Sequence, residues 1–208
     1  MVSKELREYI ENNILPSYVK NDSGHNIDHI NYVIKRSLKF AKEVPNINID
    51  MVYTIAAYHD IGHYIDAKNH EKISGDMLYQ DDNLRKFFTE EEMITMRDAV
   101  YDHRASSSAI PRTIYGKIVS SADRNTSIES TLKRTYAYRL KHNPEYSLDE
   151  IIEKSRKHVI DKFGINGYAR EKMFFQDDDY EHYLDEITKL ADDKEAFRER
   201  FLLVNGIE

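Results

Sequence analysis

The segment AAYHDIGHY, Ala56 to Tyr64, sets His59 beside Asp60 at the end of an apolar run and places His63 three positions beyond the pair. Imidazole nitrogen and carboxylate oxygen are the ligands left to a protein without cysteine, and this chain has none. Six of its nine histidines, His25, His29, His59, His63, His70 and His103, fall in the first half. A charged aspartate at the inner end of a helix is costly unless paired, and a divalent ion offsets that cost better than any single side chain. A buried His and Asp cluster is therefore self-consistent only with a metal or a dense hydrogen-bond network. Taken one at a time, inward histidines are more often satisfied core residues than ligands.

The elements that must carry these residues are helices. Seven glycines and four prolines, with many Glu, Lys, Leu, Ile and Tyr, argue for an all-α fold, and no alternating strand pattern or internal repeat is present. In HINYVIKRSLKFA, Ile30, Val33, Ile34 and Ala41 recur at helical spacing, with Asp28 as the expected N-cap and His29 in the first turn. Val52, Ile55, Ala56 and His59 follow at i, i+3, i+4 and i+7, and Gly62 stands where that helix is expected to end. His70, Ile73 and Met77 form another stripe. Thr89 with Glu92 makes a capping box for a helix whose inner face, Met93, Met96 and Val100, continues to His103. A helix from about Thr113 presents Tyr115, Ile118, Val119 and Ala122 on one face and finishes at Asp123. Five helices each bring a His or Asp inward.

Beyond that point the pattern changes. Helices are expected over about 127–140, from a second capping box of Ser147 and Glu150 to about Phe163, and over 180–190 and 194–203. The expected organisation is a core over residues 1–130 and a helical extension over 131–208, with one single domain as the alternative. A formal charge of −7 argues against general nucleic-acid binding. The longest apolar run, Met51 to Tyr58, is far short of the ~18 residues of a membrane span, so a cytoplasmic protein is expected.

The order His29, then His59-Asp60, then Asp123 in KIVSSADRNTS resembles the H…HD…D signature of the HD-domain metal-dependent phosphohydrolases. GHNIDHINYV is similar to the entry of that family's first ligand helix, AAYHDIGH to its HD helix and IYGKIVSSADR to its last ligand helix, over about residues 22 to 130. The resemblance implies an all-α HD bundle, a divalent metal held by His29, His59, Asp60 and Asp123, and hydrolysis of a phosphate ester or anhydride, very often in a nucleotide. Many members carry an arginine three residues after the first histidine, where this chain has Tyr32, which puts one helix-supporting interaction in question. In two-metal members further histidines lie between the HD pair and the last aspartate, and His70 and His103 occupy similar positions. Two ions bridged by Asp60 are expected, with iron or manganese favoured and magnesium, cobalt, nickel or zinc admissible.

An ion held there lowers the pKa of water from ~16 towards ~7 and neutralises charge on a phosphoryl oxygen. Asp60 and His63 are the expected catalytic residues, His63 as proton donor on the strength of its reference pKa, with Asp66 close by. A histidine simply favoured at a helix C-terminus is the bland alternative for His63. Arg104, Arg112, Lys117 and Arg124 are the candidate substrate-binding cations. His25, His142, His158 and His182 read as surface or core, and Tyr136, Tyr138, Tyr180 and Tyr183 as packing, with base stacking the alternative. The rival functions are a non-catalytic HD-type nucleotide or metal sensor and a plain helical interaction module.

Overall fold

Every residue from Met51 to Gly62 is buried, so the His59-Asp60 pair lies in the interior of the protein. The computed structural model describes residues 1–22, 24–104, 109–170 and 173–207, and among these there are helices and no strand. They divide into two compact units, Met1–Asp123 and Arg124–Glu208. The described helices of the first are α1 (Lys4–Asn13), α2 (Ile27–Ala41), α3 (Ile49–Tyr58), α4 (His70–Tyr79), α5 (Glu90–Tyr101) and α6 (Ile114–Ala122). The second contains α7 (Ile128–His142), α8 (Leu148–Phe163), α9 (Asp178–Asp192) and α10 (Lys194–Asn205). No described helix is long and apolar enough to cross a membrane.

In the first unit α3 is the central element. It packs against α2, α5 and α6, while α4 lies along α5. Its length is set by Asn48, whose side chain accepts the Asp50 and Met51 N–H groups, and it ends at Tyr58 with His59 as C-cap, short of Gly62. Asn26 rather than Asp28 caps α2, accepting the N–H groups of Asp28 and His29. The helix therefore starts earlier than its apolar periodicity indicates, and Asp28 is left in the first turn, where its charge complements the dipole. The Thr89–Glu92 and Ser147–Glu150 capping boxes are both present. Thr113 caps α6 through the Gly116 N–H, and Asp123 is the C-cap.

Two close approaches bring the elements together. Gly62 does not end a helix; its N–H donates to Ser74 Oγ at 2.9 Å, and a Cβ there would stand 2.6 Å from Ile73 Cγ2 and 2.9 Å from Ile73 Cβ. In α4, a Cβ on Gly75 would meet the Tyr101 ring at 2.4 Å, so this glycine lets α4 and α5 pack in contact. The support put in question at Tyr32 is present in another form. Arg36, one turn further along α2, is buried and donates to both Tyr32 Oη at 2.7 Å and the Ala122 carbonyl at 3.1 Å. It satisfies a carbonyl in the last turn of α6 immediately before Asp123.

The second unit closes over a separate core of Leu132, Val159, Phe163, Tyr180, Tyr183, Ile187, Phe197 and Phe201. Tyr180 and Tyr183 are buried there and Tyr136 packs against it, so these three tyrosines are packing residues, whereas Tyr138 is exposed.

The tight seat of Gly62 generates a stability test. Gly62→Ala must push Ile73 aside, and the expected cost is about 1–3 kcal/mol. Chemical denaturation of the variant measures it, and an unchanged midpoint would mean that α4 is not seated as described.

Candidate metal centre

Each candidate ligand stands at or just beyond a helix end. His29 is in the first turn of α2, His59 caps α3, His70 opens α4, His103 follows α5 and Asp123 caps α6. The side chains converge on Asp60, which is 2% exposed. Asp60 Oδ2 lies 3.5 Å from His29 Nε2 and 3.3 Å from His59 Nε2. Its other oxygen, Oδ1, lies 3.2 Å from His70 Nε2 and 3.5 Å from His103 Nε2. Asp123 Oδ1 is 3.1 Å from His29 Nε2 and 3.9 Å from His59 Nε2. His29, His59 and Asp123 form one group whose ligand atoms lie within 4.8 Å of one another, and His59, Asp60 and His103 form a second.

The backbone decides which ring nitrogen faces inward. His59 Nδ1 lies 2.8 Å from the Ala56 carbonyl, His70 Nδ1 3.0 Å from that of Ala67 and His103 Nδ1 2.6 Å from that of Val100. A carbonyl can only accept, so each Nδ1 carries the proton and each Nε2 directs a lone pair into the cluster. His70 Nε2 and His103 Nε2 then face each other at 3.3 Å as two acceptors. Among the described residues, His29 Nε2, His59 Nε2 and Asp60 Oδ1 are buried without a hydrogen-bond partner. Acceptors gathered in this way need a cation, and the imidazole and carboxylate donors fit a divalent transition metal.

The electrostatics have the same sense. Burial works to lower the His29 pKa, but the carboxylates of Asp123 and Asp60 hold it up at about 9. His59 is likewise raised, against burial, chiefly by Asp60. Burial opposes ionisation of Asp60 and Asp123, yet the imidazoles around them, His59 first for Asp60 and His29 first for Asp123, hold both carboxyls below the usual range. A proton on His29 is the cation this site takes near neutral pH unless a metal displaces it.

Other candidates are placed differently. His63 stacks on His25, with ring centroids 3.7 Å apart, and its own ring lies 5.3 Å from that of His70. Burial and then the charge of His25 lower its pKa to about 4. The His63 ring is thus held in its neutral form near pH 7. Asp66 accepts from Lys68 N at 2.9 Å and Asn69 Nδ2 at 2.6 Å. Arg104 reaches the Lys68 carbonyl at 2.7 Å and Glu71 at 3.4 Å, and Glu71 also lies 3.4 Å from His70 Nδ1. Arg112 is ion-paired with Asp98 and Asp102. Lys117 is half-buried on α6, and Arg124, in the second unit, is buried.

Three residues near the cluster escape a reading by motif. Asn21 donates through Nδ2 to the Asp60 and His25 carbonyls, both at 3.0 Å, and accepts from Tyr64 N at 3.0 Å, which fixes the turn carrying Asp60. His25, read as surface or core, is paired with Asp22 at 2.8 Å, and Asp22, His25 and His63 make a third group of metal-ligand type. For His25 the sequence signals are membership of the six histidines crowded into the first half and the four-residue interval to His29.

Residues 26–127 match the family model described as HD domain. No curated protein and no solved structure matches the chain.

Two measurements follow from this geometry. Because His29 holds its proton up to about 9, binding of Mn²⁺ must release it, and the affinity is expected to rise by about tenfold per pH unit as the pH climbs towards 9 and then to level off. Titration calorimetry at several pH values reads this slope, and a flat profile would remove His29 from the ligand set. After anaerobic loading with Fe²⁺ or Mn²⁺, the parent is expected to hold two ions and the His70→Ala, His103→Ala double variant one. One ion in each would leave Asp60 Oδ1 without a metal.

Proposed function

We propose, from the match of residues 26–127 to the HD-domain model, that the chain is a metal-dependent phosphohydrolase acting on a small phosphate ester or anhydride of nucleotide type. The observation that carries the reading is the division of Asp60 between two histidine pairs, Oδ2 towards His29 and His59 and Oδ1 towards His70 and His103. His29, His59, Asp60 and Asp123 would hold one ion, and Asp60, His70 and His103 a second, with iron or manganese the preferred metal. When bound, such ions supply Lewis acidity to phosphoryl oxygens and bring the pKa of water towards neutrality.

What the protein contributes is orientation and proton handling. The carbonyls of Ala56, Ala67 and Val100 keep three imidazoles in one tautomer, and burial keeps bulk water from Asp60. His63, whose ring lies 5.3 Å from that of His70, is the group assigned to proton transfer at the site. Arg104, beside His103 in the chain and anchored on Glu71, is the cation assigned to substrate phosphate. Arg112, ion-paired with Asp98 and Asp102, is the second cation assigned to this role.

A phosphate-release screen over nucleoside mono-, di- and triphosphates, dinucleoside polyphosphates and cyclic dinucleotides, with several divalent metals, is expected to find turnover that requires added metal. Asp60→Asn, which keeps the side-chain volume, is expected to reduce it to background. Metal and ligand bound without turnover across the screen would replace this reading with that of a sensor.

A further inference from the structure

The second unit contains a cavity of about 370 Å³ that uses none of the candidate metal ligands. Its volume is within the range of sites that take small organic ligands. Helices α7 and α8 pack together, and side chains from both line the cavity. Arg134 and Tyr138 are spaced i, i+4 on α7, as are His158 and Lys162 on α8; Arg139 and Phe163 complete the chemically distinctive wall.

The charge of this wall is of one sign. Arg134, Arg139 and Lys162 are permanent cations, and no carboxylate is among the described residues lining the cavity, although the chain as a whole carries a formal charge of −7. The effect is visible on His158, whose pKa is lowered by burial and then by Lys162 and Arg139, with Asp161 opposing. Cations concentrated in a concave wall focus a positive potential that an anion relieves. Arg139 is braced on Asn143 Oδ1 at 3.3 Å and the Lys154 carbonyl at 3.4 Å, which fixes its charge in place.

The wall also offers flat apolar surface. Tyr138 is 56% exposed, and Lys162 Nζ stands 5.0 Å from the centroid of Phe163. The polar floor is set in advance, with Asn125 Nδ2 donating to Thr131 Oγ1 at 2.9 Å and that hydroxyl 2.7 Å from Tyr183 Oη. A phosphate against guanidinium and ammonium groups, joined to a planar ring against a tyrosine, satisfies both halves of this wall. We propose that the cavity between α7 and α8 is a binding site for a phosphorylated, ring-bearing small molecule of nucleotide size. This assignment stands independently of the chemistry at Asp60.

The test uses the full-length, metal-loaded chain and α,β-methylene adenosine diphosphate, whose carbon bridge resists hydrolysis, with titration calorimetry as the readout. The parent is expected to bind the probe, His59→Ala to retain binding at this site, and Arg134→Ala, Lys162→Ala to weaken it about tenfold or more. Should that double variant fail to fold by circular dichroism, Arg134→Gln, Lys162→Gln takes its place. Methylenediphosphonate, which lacks the nucleoside, is expected to bind more weakly than the probe, and Tyr138→Ala to narrow that difference. No binding to the parent, binding lost in His59→Ala, or binding unchanged in both cation variants would overturn the site. Equal binding of the two probes to the parent would overturn its assignment to a ring-bearing ligand.

Discussion

A carboxylate inside a helical bundle must be neutralised, and the four described imidazoles around Asp60 offer it acceptors or a shared proton. Four imidazole Nε2 atoms lie 3.2–3.5 Å from its two oxygens, and three of those rings have already given their Nδ1 protons to backbone carbonyls. Asp60 and Asp123 also follow the C-terminal ends of α3 and α6, where the helix dipole adds negative potential. Both effects have the same remedy, positive charge at the point where the side chains meet. The burial of α3, the caps of α2 and α6 and the seating of α4 are arranged around that requirement.

The orientation of the cluster depends on groups that do not enter it. Asn21 holds the backbone of Asp60, Ser74 holds that of Gly62, and Arg36 closes the last turn of α6 before Asp123. Each acts on main-chain atoms next to a candidate ligand, so each transmits its own packing directly into the ligand's position. The rings are then aimed by main-chain carbonyls and not by exposed carboxylates, which makes their tautomers a property of the fold itself.

Much of this was legible beforehand because it is local. Helical periodicity marked α2, α3 and α5, and the capping boxes at Thr89 and Ser147 are encoded within four residues. His59 and Asp60 were readable because their neighbours form an apolar stripe. The helix starts were less so: Asn26 and Asn48 cap through turns that lie outside any apolar pattern, and Asp28 was the residue expected to cap α2. Arg36 supporting Ala122, Asn21 holding Asp60 and His25 stacked on His63 join distant residues or depend on ring orientation, and no periodicity reports either. The depressed pKa of His63 has the same origin, since it arises from burial and a neighbouring ring and not from its own residue type.

The candidate ligands enter the chain at position 29 and leave it at position 123, with four helices of the first unit begun between them. Coordination by both ends would therefore tie off most of that unit as one closed loop. In a chain without cysteine, this is the cross-link that a disulfide would otherwise provide. In the chain-entropy account a closure of this length removes the equivalent of about 4–5 kcal/mol of freedom from the unfolded chain. The same side chains that could hold a metal would then act as a reversible staple, and loading the centre would set how long the first unit survives a protease or a mechanical load.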